Sequence, residues 1–116
     1  MTEPIPLHPG NLSLLQMRRI WQGARVVPDA GARPAVEAAR AVVTAICAGD
    51  AGVYGVNTGF GKLAQTRIPA DRLATLQHNL VRSHAAGVGA PLAPSVVRLV
   101  LALKINALAQ GHSGVR

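Results

Sequence analysis

Apolar residues recur at helical spacing in four stretches of the chain, and segments dense in proline and glycine separate them. Pro4, Pro6, Pro9 and Gly10 make the segment from Pro4 to Asn11 read as irregular. Ser13 with Gln16 three residues later fits a capping box, and Leu14, Leu15, Met17, Ile20 and Trp21 supply the apolar positions of a first helix that Gly23 ends. Arg25-Val26-Val27 reads as a short extended piece closed by Pro28. A second helix has Pro34 in its first turn and Gly49 past its end, with Val36, Ala39, Val43, Ile46 and Cys47 at intervals of three and four. From Gly49 to Pro69 the helical period disappears, and Gly49, Gly52, Gly55, Gly59 and Gly61 mark the stretch as the candidate functional loop. The third helix runs from about Ala70 to Ala86, with Leu73, Leu76, Leu80 and His84 on one stripe and Gly87 and Gly89 after it. The fourth begins near Pro94-Ser95, ends at Gly111, and is apolar almost all round through Val96, Val97, Leu99, Val100, Leu101, Leu103, Ile105 and Leu108.

Composition narrows the class. The chain has 116 residues, of which 49% are hydrophobic and 15% charged, a balance that excludes intrinsic disorder. Aromatic residues are only 3%, so the core must be built from Ala, Leu, Val and Ile, and the expected fold is all-α, with about four helices and one glycine-rich loop. Four helices of this length cover one another only in part. A helix apolar on nearly every face therefore implies partners outside these residues, and 1–116 reads as a single incomplete domain of a larger or oligomeric body.

The net charge of +7 raises the question of an anionic partner. The arginines are scattered singly apart from Arg18 and Arg19, and no aromatic residues are interleaved with them, so no nucleic-acid surface is expected. Cys47 is the only cysteine, which precludes an intrachain disulfide or a cysteine metal site and suits a reducing cytoplasm; its apolar neighbours make it a small core residue. Met1-Thr2-Glu3-Pro4 does not read as a signal peptide. The longest apolar run, Val96 to Leu103, is broken by Arg98 and falls short of the ~20 residues a bilayer span needs, so no membrane association is expected.

The loop Tyr54-Gly55-Val56-Asn57-Thr58-Gly59-Phe60-Gly61-Lys62 suggests a phosphate cradle at first sight. A P-loop would need glycine where Val56 stands and Ser or Thr where Leu63 stands. Gly59, Gly61 and Ala64 fit a dinucleotide fingerprint by spacing, but Ile68-Pro69 interrupts the helix that should follow. What the loop offers instead is Tyr54, with Asn57 and Thr58 beside it as donors and acceptors. Its plain alternative is a tyrosine that only packs. His84 follows Leu76 and Leu80 on the third helix, which aims it along the apolar face rather than into solvent; a satisfied core histidine is the plain alternative there. No histidine pair has zincin spacing, so no metal site is expected.

Three segments together carry a resemblance. Tyr54 to Gly61, then Leu76-Gln77-His78-Asn79-Leu80-Val81-Arg82-Ser83-His84-Ala85-Ala86-Gly87-Val88-Gly89, then Leu103-Lys104-Ile105-Asn106 with Gly111-His112-Ser113-Gly114-Val115-Arg116, resemble in order the N-terminal segment of the histidine ammonia-lyases, within the aromatic amino acid lyase family. The resemblance implies a mostly helical cytoplasmic homotetramer that eliminates ammonia from L-histidine without oxidation, giving trans-urocanate. It implies a methylidene-imidazolone cofactor formed by the protein from an internal Ala-Ser-Gly, and no metal. By the same resemblance Tyr54 is the catalytic base at the substrate's β-carbon, and Ser83 with His84 binds the substrate. Related lyases acting on tyrosine or phenylalanine carry an aromatic residue followed by leucine at this pair; an imidazole at position 84 can hydrogen-bond a substrate imidazole, which leucine cannot. The chain contains no Ala-Ser-Gly, its closest tripeptide being His112-Ser113-Gly114, so the electrophile is expected beyond Arg116 and the fragment alone is expected to be inactive. The competing readings are a related lyase or mutase acting on tyrosine or phenylalanine, and a basic helical module that binds nucleic acid.

Overall fold

In the computed structural model, residues 3–115 are described; Met1 and Thr2 of the amino-terminal reading and Arg116 of the last motif lie outside the described residues. Helix dominates, as the spacing of apolar residues implies. Four α-helices follow in order, α1 (Leu14–Trp21), α2 (Arg33–Ala48), α3 (Leu73–His84) and α4 (Pro94–Leu108), with two three-residue strands, β1 (Ile5–Leu7) and β2 (Val26–Pro28). The chain divides into two compact units. One holds the residues up to Ala41 together with those from Pro91 onward, and the other is Val42–Ala90.

The first unit contains the described core. Ile5, Leu7, Ile20 and Ala102 are buried together, and Leu12, Ala24, Val26 and Leu99 pack around them. Burying large apolar side chains such as Ile5, Leu7 and Ile20 contributes roughly 1.5–3 kcal/mol each. α1 starts at the expected capping box: the Ser13 hydroxyl accepts from the Gln16 amide at 3.2 Å, while Gln16 Oε1 accepts from the Ser13 amide at 2.9 Å. Of its apolar positions only Ile20 is buried, and Leu14 and Leu15 stay 83% and 70% exposed. A two-turn helix turns one face to a neighbour, here α4, and leaves the rest uncovered.

The segment from Pro4 to Asn11 is not wholly irregular, and this corrects the expectation from its prolines. β1 pairs in parallel with β2, setting Ile5 against Val26, Pro6 against Val27 and Leu7 against Pro28. The inter-strand bonds use the Ile5 amide, which donates to Arg25 O at 2.8 Å, and Leu7 O, which accepts from Asp29 N at 3.3 Å. By alternation, the nitrogens of Pro6 and Pro28 face outward from the two-stranded ribbon, where no donor is needed. After β2, Asp29 caps the 3₁₀ turn Ala30–Ala32 by accepting from Gly31 N at 2.9 Å. His8 Nδ1 donates to the same carboxylate at 2.8 Å, and these two bonds, the histidine's first, hold Asp29 below the ordinary carboxylate pKa.

The expected set on α2, Val36, Ala39, Val43, Ile46 and Cys47, is half-buried along the helix, so its face was legible even though no residue of it is fully enclosed. α4 begins at Pro94, as expected, and keeps Val100 and Leu101 55% and 56% exposed. Beyond α4, Gly111 adopts φ +78° and passes so close to α2 that a Cβ would lie 2.6 Å from the backbone carbon of Ala35. None of the described helices is long and apolar enough to cross a membrane.

Candidate functional site

The second unit carries all three candidate side chains. It consists of the carboxyl-terminal part of α2, an irregular loop, and α3 preceded by the 3₁₀ turn Ala70–Arg72. Between α2 and that turn the chain forms no α-helix or strand, only the 3₁₀ turn Gly61–Leu63 and one antiparallel bridge between Thr58 and Arg67. The loop is nonetheless closely tied. Gly59 N donates to Thr66 O at 3.0 Å, Ile68 N to Asn57 O at 2.8 Å, and Arg67 Nη2 to Gly49 O at 2.5 Å. Gly59 has to be glycine, because a Cβ there would stand 2.5 Å from Leu63 Cβ and 2.9 Å from Leu63 O.

Tyr54 sits at the outer turn of this loop, followed by Gly55 in the left-handed region at φ +77°. Its side chain is 64% exposed, and its ring meets the edge of Phe60 with centroids 5.9 Å apart and planes at 69°. An edge-to-face pair of this kind contributes ~0.5–1.5 kcal/mol beyond its buried area, enough to bias the orientation of an otherwise free phenol. Beneath Tyr54 the loop is buried: Asn57 is 1% and Thr58 2% exposed. Those two residues, read from sequence as donors and acceptors beside the phenol, spend their polar groups inside the loop. Asn57 Oδ1 accepts from Val53 N at 2.7 Å, Asn57 Nδ2 donates to Ala51 O at 2.9 Å and to Ile46 O at 3.2 Å, and Thr58 Oγ1 donates to Gly59 O at 3.0 Å.

Ser83 and His84 close α3. Leu73, Leu76 and Leu80 are half-buried along the expected stripe, but His84 is exposed, and so the reading that aims it along an apolar face rather than into solvent is corrected. The stripe runs beyond what covers it: the principal neighbour of α3 within its unit is the short turn that precedes it. The imidazole is held all the same. His84 Nδ1 lies 2.9 Å from Leu80 O and 3.1 Å from Ser83 Oγ, and the Ser83 hydroxyl donates to Leu80 O at 2.9 Å. A carbonyl only accepts, so Nδ1 carries the proton and, in the neutral ring, Nε2 is left as an acceptor.

Ser83 and His84 are thus brought into one arrangement, and Tyr54 is paired with Phe60. No hydrogen bond joins Tyr54 to either of the other two among the described residues. Sequence reasoning did not find Arg67, which it treated as one of several scattered arginines. An arginine bridged to Thr58 has no local signature that announces it will reach back to Gly49. Among the described residues, no three His, Cys, Asp or Glu side chains converge in a way that could hold a metal ion.

Comparison with known proteins adds a second line. The sequence model of the family described as aromatic amino acid lyase matches residues 12–116. A histidine ammonia-lyase of Aromatoleum aromaticum is 54% identical over 111 residues, which is 95% of this chain and 21% of the relative. One from Rhodospirillum rubrum is 52% identical over 117 residues, covering 100% of this chain and 23% of the relative. The crystal structure of a tyrosine aminomutase from Streptomyces globisporus superposes with a TM-score of 0.89 at 33% identity over 98% of this chain and 22% of that one. The chain therefore spans about a fifth of the length of the relatives it matches.

Proposed function

The chain belongs to the aromatic amino acid lyase family, and from that premise we propose that it is the N-terminal part of a cytoplasmic, homotetrameric histidine ammonia-lyase, which eliminates ammonia from L-histidine to give trans-urocanate in histidine catabolism. In this reading residues 1–116 are one incomplete portion of the lyase domain. The observation that carries the substrate assignment is the contact of His84 Nδ1 with Leu80 O at 2.9 Å, which favours the proton on that nitrogen. With Nδ1–H committed to Leu80 O and Ser83 Oγ, the exposed Nε2 accepts the N–H of a substrate imidazole, and Ser83 acts by holding the ring in that state. Similarity to two relatives named histidine ammonia-lyase supports the same substrate.

Tyr54 is the base. The β-proton of an amino acid is not acidic, so its removal needs both a positioned base and an electron sink. The family uses a methylidene-imidazolone built from Ala-Ser-Gly as that sink. The residues here do not fit it: no Ala-Ser-Gly occurs, and the nearest tripeptide, His112-Ser113-Gly114, begins with a histidine. The group must come from another part of the lyase, and this segment contributes the phenol and one wall of the substrate site.

The test uses the complete lyase that contains this segment. Rates on L-histidine, L-tyrosine and L-phenylalanine are compared by the ultraviolet absorbance of their unsaturated products. Histidine should be the preferred substrate, and Tyr54→Phe should lower kcat by ~10²–10⁴ without altering the far-ultraviolet circular dichroism. Preference for tyrosine or phenylalanine would favour the second reading, a related lyase or mutase of the kind that the aminomutase neighbour is named for.

A further inference from the structure

We infer that Asn57 is the positioning residue that sets Tyr54 for proton removal, an inference that rests on the reading of Tyr54 as the base. Tyr54 is largely exposed, and its ring meets only Phe60 as an aromatic partner, so its place is decided mainly by the backbone that carries it. That backbone converges on Asn57. The carboxamide oxygen accepts from Val53 N, directly before Tyr54, and the carboxamide nitrogen donates to Ala51 O and to Ile46 O in the last turns of α2. The main chain of Asn57 adds two more bonds: its amide donates to Val53 O at 3.2 Å, and its carbonyl accepts from Ile68 N at 2.8 Å.

One buried residue therefore joins the end of α2 and the residue before Tyr54 through its side chain, and the returning segment of the loop through its main chain. Such a fully satisfied buried network is stiff, because each of its groups would be left without a partner if the loop moved. Thr58 is equally buried, but among the described residues its hydroxyl bonds only to the carbonyl of its neighbour Gly59, so its side chain ties nothing to α2. Asn57→Asp preserves the shape and the acceptor facing Val53 N, and replaces the donors with an oxygen facing the Ile46 and Ala51 carbonyls. The loop would have to shift to separate them, and a displacement of about 1 Å at a reacting group is worth ~10²-fold in rate.

The experiment is a double-mutant cycle in the complete lyase, with Asn57→Asp and Tyr54→Phe singly and together, following kcat and KM for L-histidine. Asn57→Asp is expected to lower kcat about a hundredfold with KM changed by less than about threefold, and to cause no further loss in the Tyr54→Phe background. An equal loss in both backgrounds, or no loss in either, overturns the positioning role, because a side chain needed only for folding acts whether or not the phenol is present. Should Asn57→Asp fail to accumulate as folded protein, Asn57→Ser takes its place in the cycle under the same criteria. Wild-type turnover by Tyr54→Phe alone is a distinct outcome: it removes the base assignment and this inference with it, whereas a disabled Tyr54→Phe with an additive Asn57→Asp removes only the inference.

Discussion

The amide of Gly10 donates to Asn106 Oδ1 at 2.6 Å, joining two residues 96 positions apart in the chain. Asn106 is only 6% exposed, on the face of α4 that meets the amino-terminal segment. Gly10 takes a left-handed φ of +71°, and its amide ties a glycine turn before α1 to the last turn of the fourth helix. Removing the acceptor leaves a part-buried N–H without a partner, which costs ~1–3 kcal/mol. Asn106→Ala should therefore lower the urea midpoint of the chain with an unchanged slope; an unaltered midpoint would mean that water replaces the carboxamide at no loss.

His84→Leu removes the acceptor nitrogen while leaving an apolar side chain of similar reach. In the complete lyase, kcat/KM for L-histidine should fall by roughly tenfold to a hundredfold, the kinetic equivalent of one lost hydrogen bond of ~1.4–2.8 kcal/mol. Rates on tyrosine or phenylalanine should hold or rise. A uniform loss on all three substrates would point to damage of α3 instead of a change in substrate selection.

Two glycines of the Tyr54 loop separate steric from conformational demands. A Cβ on Gly59 meets Leu63 at 2.5 Å, whereas one on Gly55 meets nothing within 4 Å. Gly55→Ala is expected to cost only the left-handed backbone penalty of ~1–2 kcal/mol. Gly59→Ala adds overpacking of ~1–3 kcal/mol, and it should open the loop to limited proteolysis between residues 49 and 69 while Gly55→Ala remains resistant. Equal cleavage of both variants would contradict the close approach.

Asp29 gives the fold a defined acid response. Its carboxyl is held below the ordinary value by the bonds from His8 and Gly31. A group whose pKa is depressed on folding stabilises the folded state above its unfolded value, ~3.9, and that contribution is lost as pH falls through the folded value. Asp29→Asn should flatten the part of the stability profile below about pH 4 and leave the slope at neutral pH alone. An unchanged acid limb would show that other carboxylates carry it.

Much of this protein is legible without coordinates because helices are specified by residues close together in sequence. Ser13 with Gln16, Pro34 with Gly49, and Pro94 mark boundaries that the structure reproduces within a residue or two, since a cap needs only its own turn. The half-buried face of α2 follows its three-and-four spacing for the same reason. The loop between α2 and α3 is equally plain from its glycines and lost periodicity, whereas the exposure of Tyr54 on it is seen only in the structure.

Tertiary structure alone decided the rest. Pairing β1 with β2 depends on a partner about 20 residues away, which let Pro6 lie in a strand once its nitrogen faced outward. It decided that Asn57 would be a buried tie instead of a ligand group, that Arg67 would reach back to Gly49, and that His84 would be exposed on a stripe whose other members are half-covered. Propensity and periodicity act over a few residues, whereas the loss of water from a polar group, or its retention, depends on atoms that distant parts of the chain bring to it.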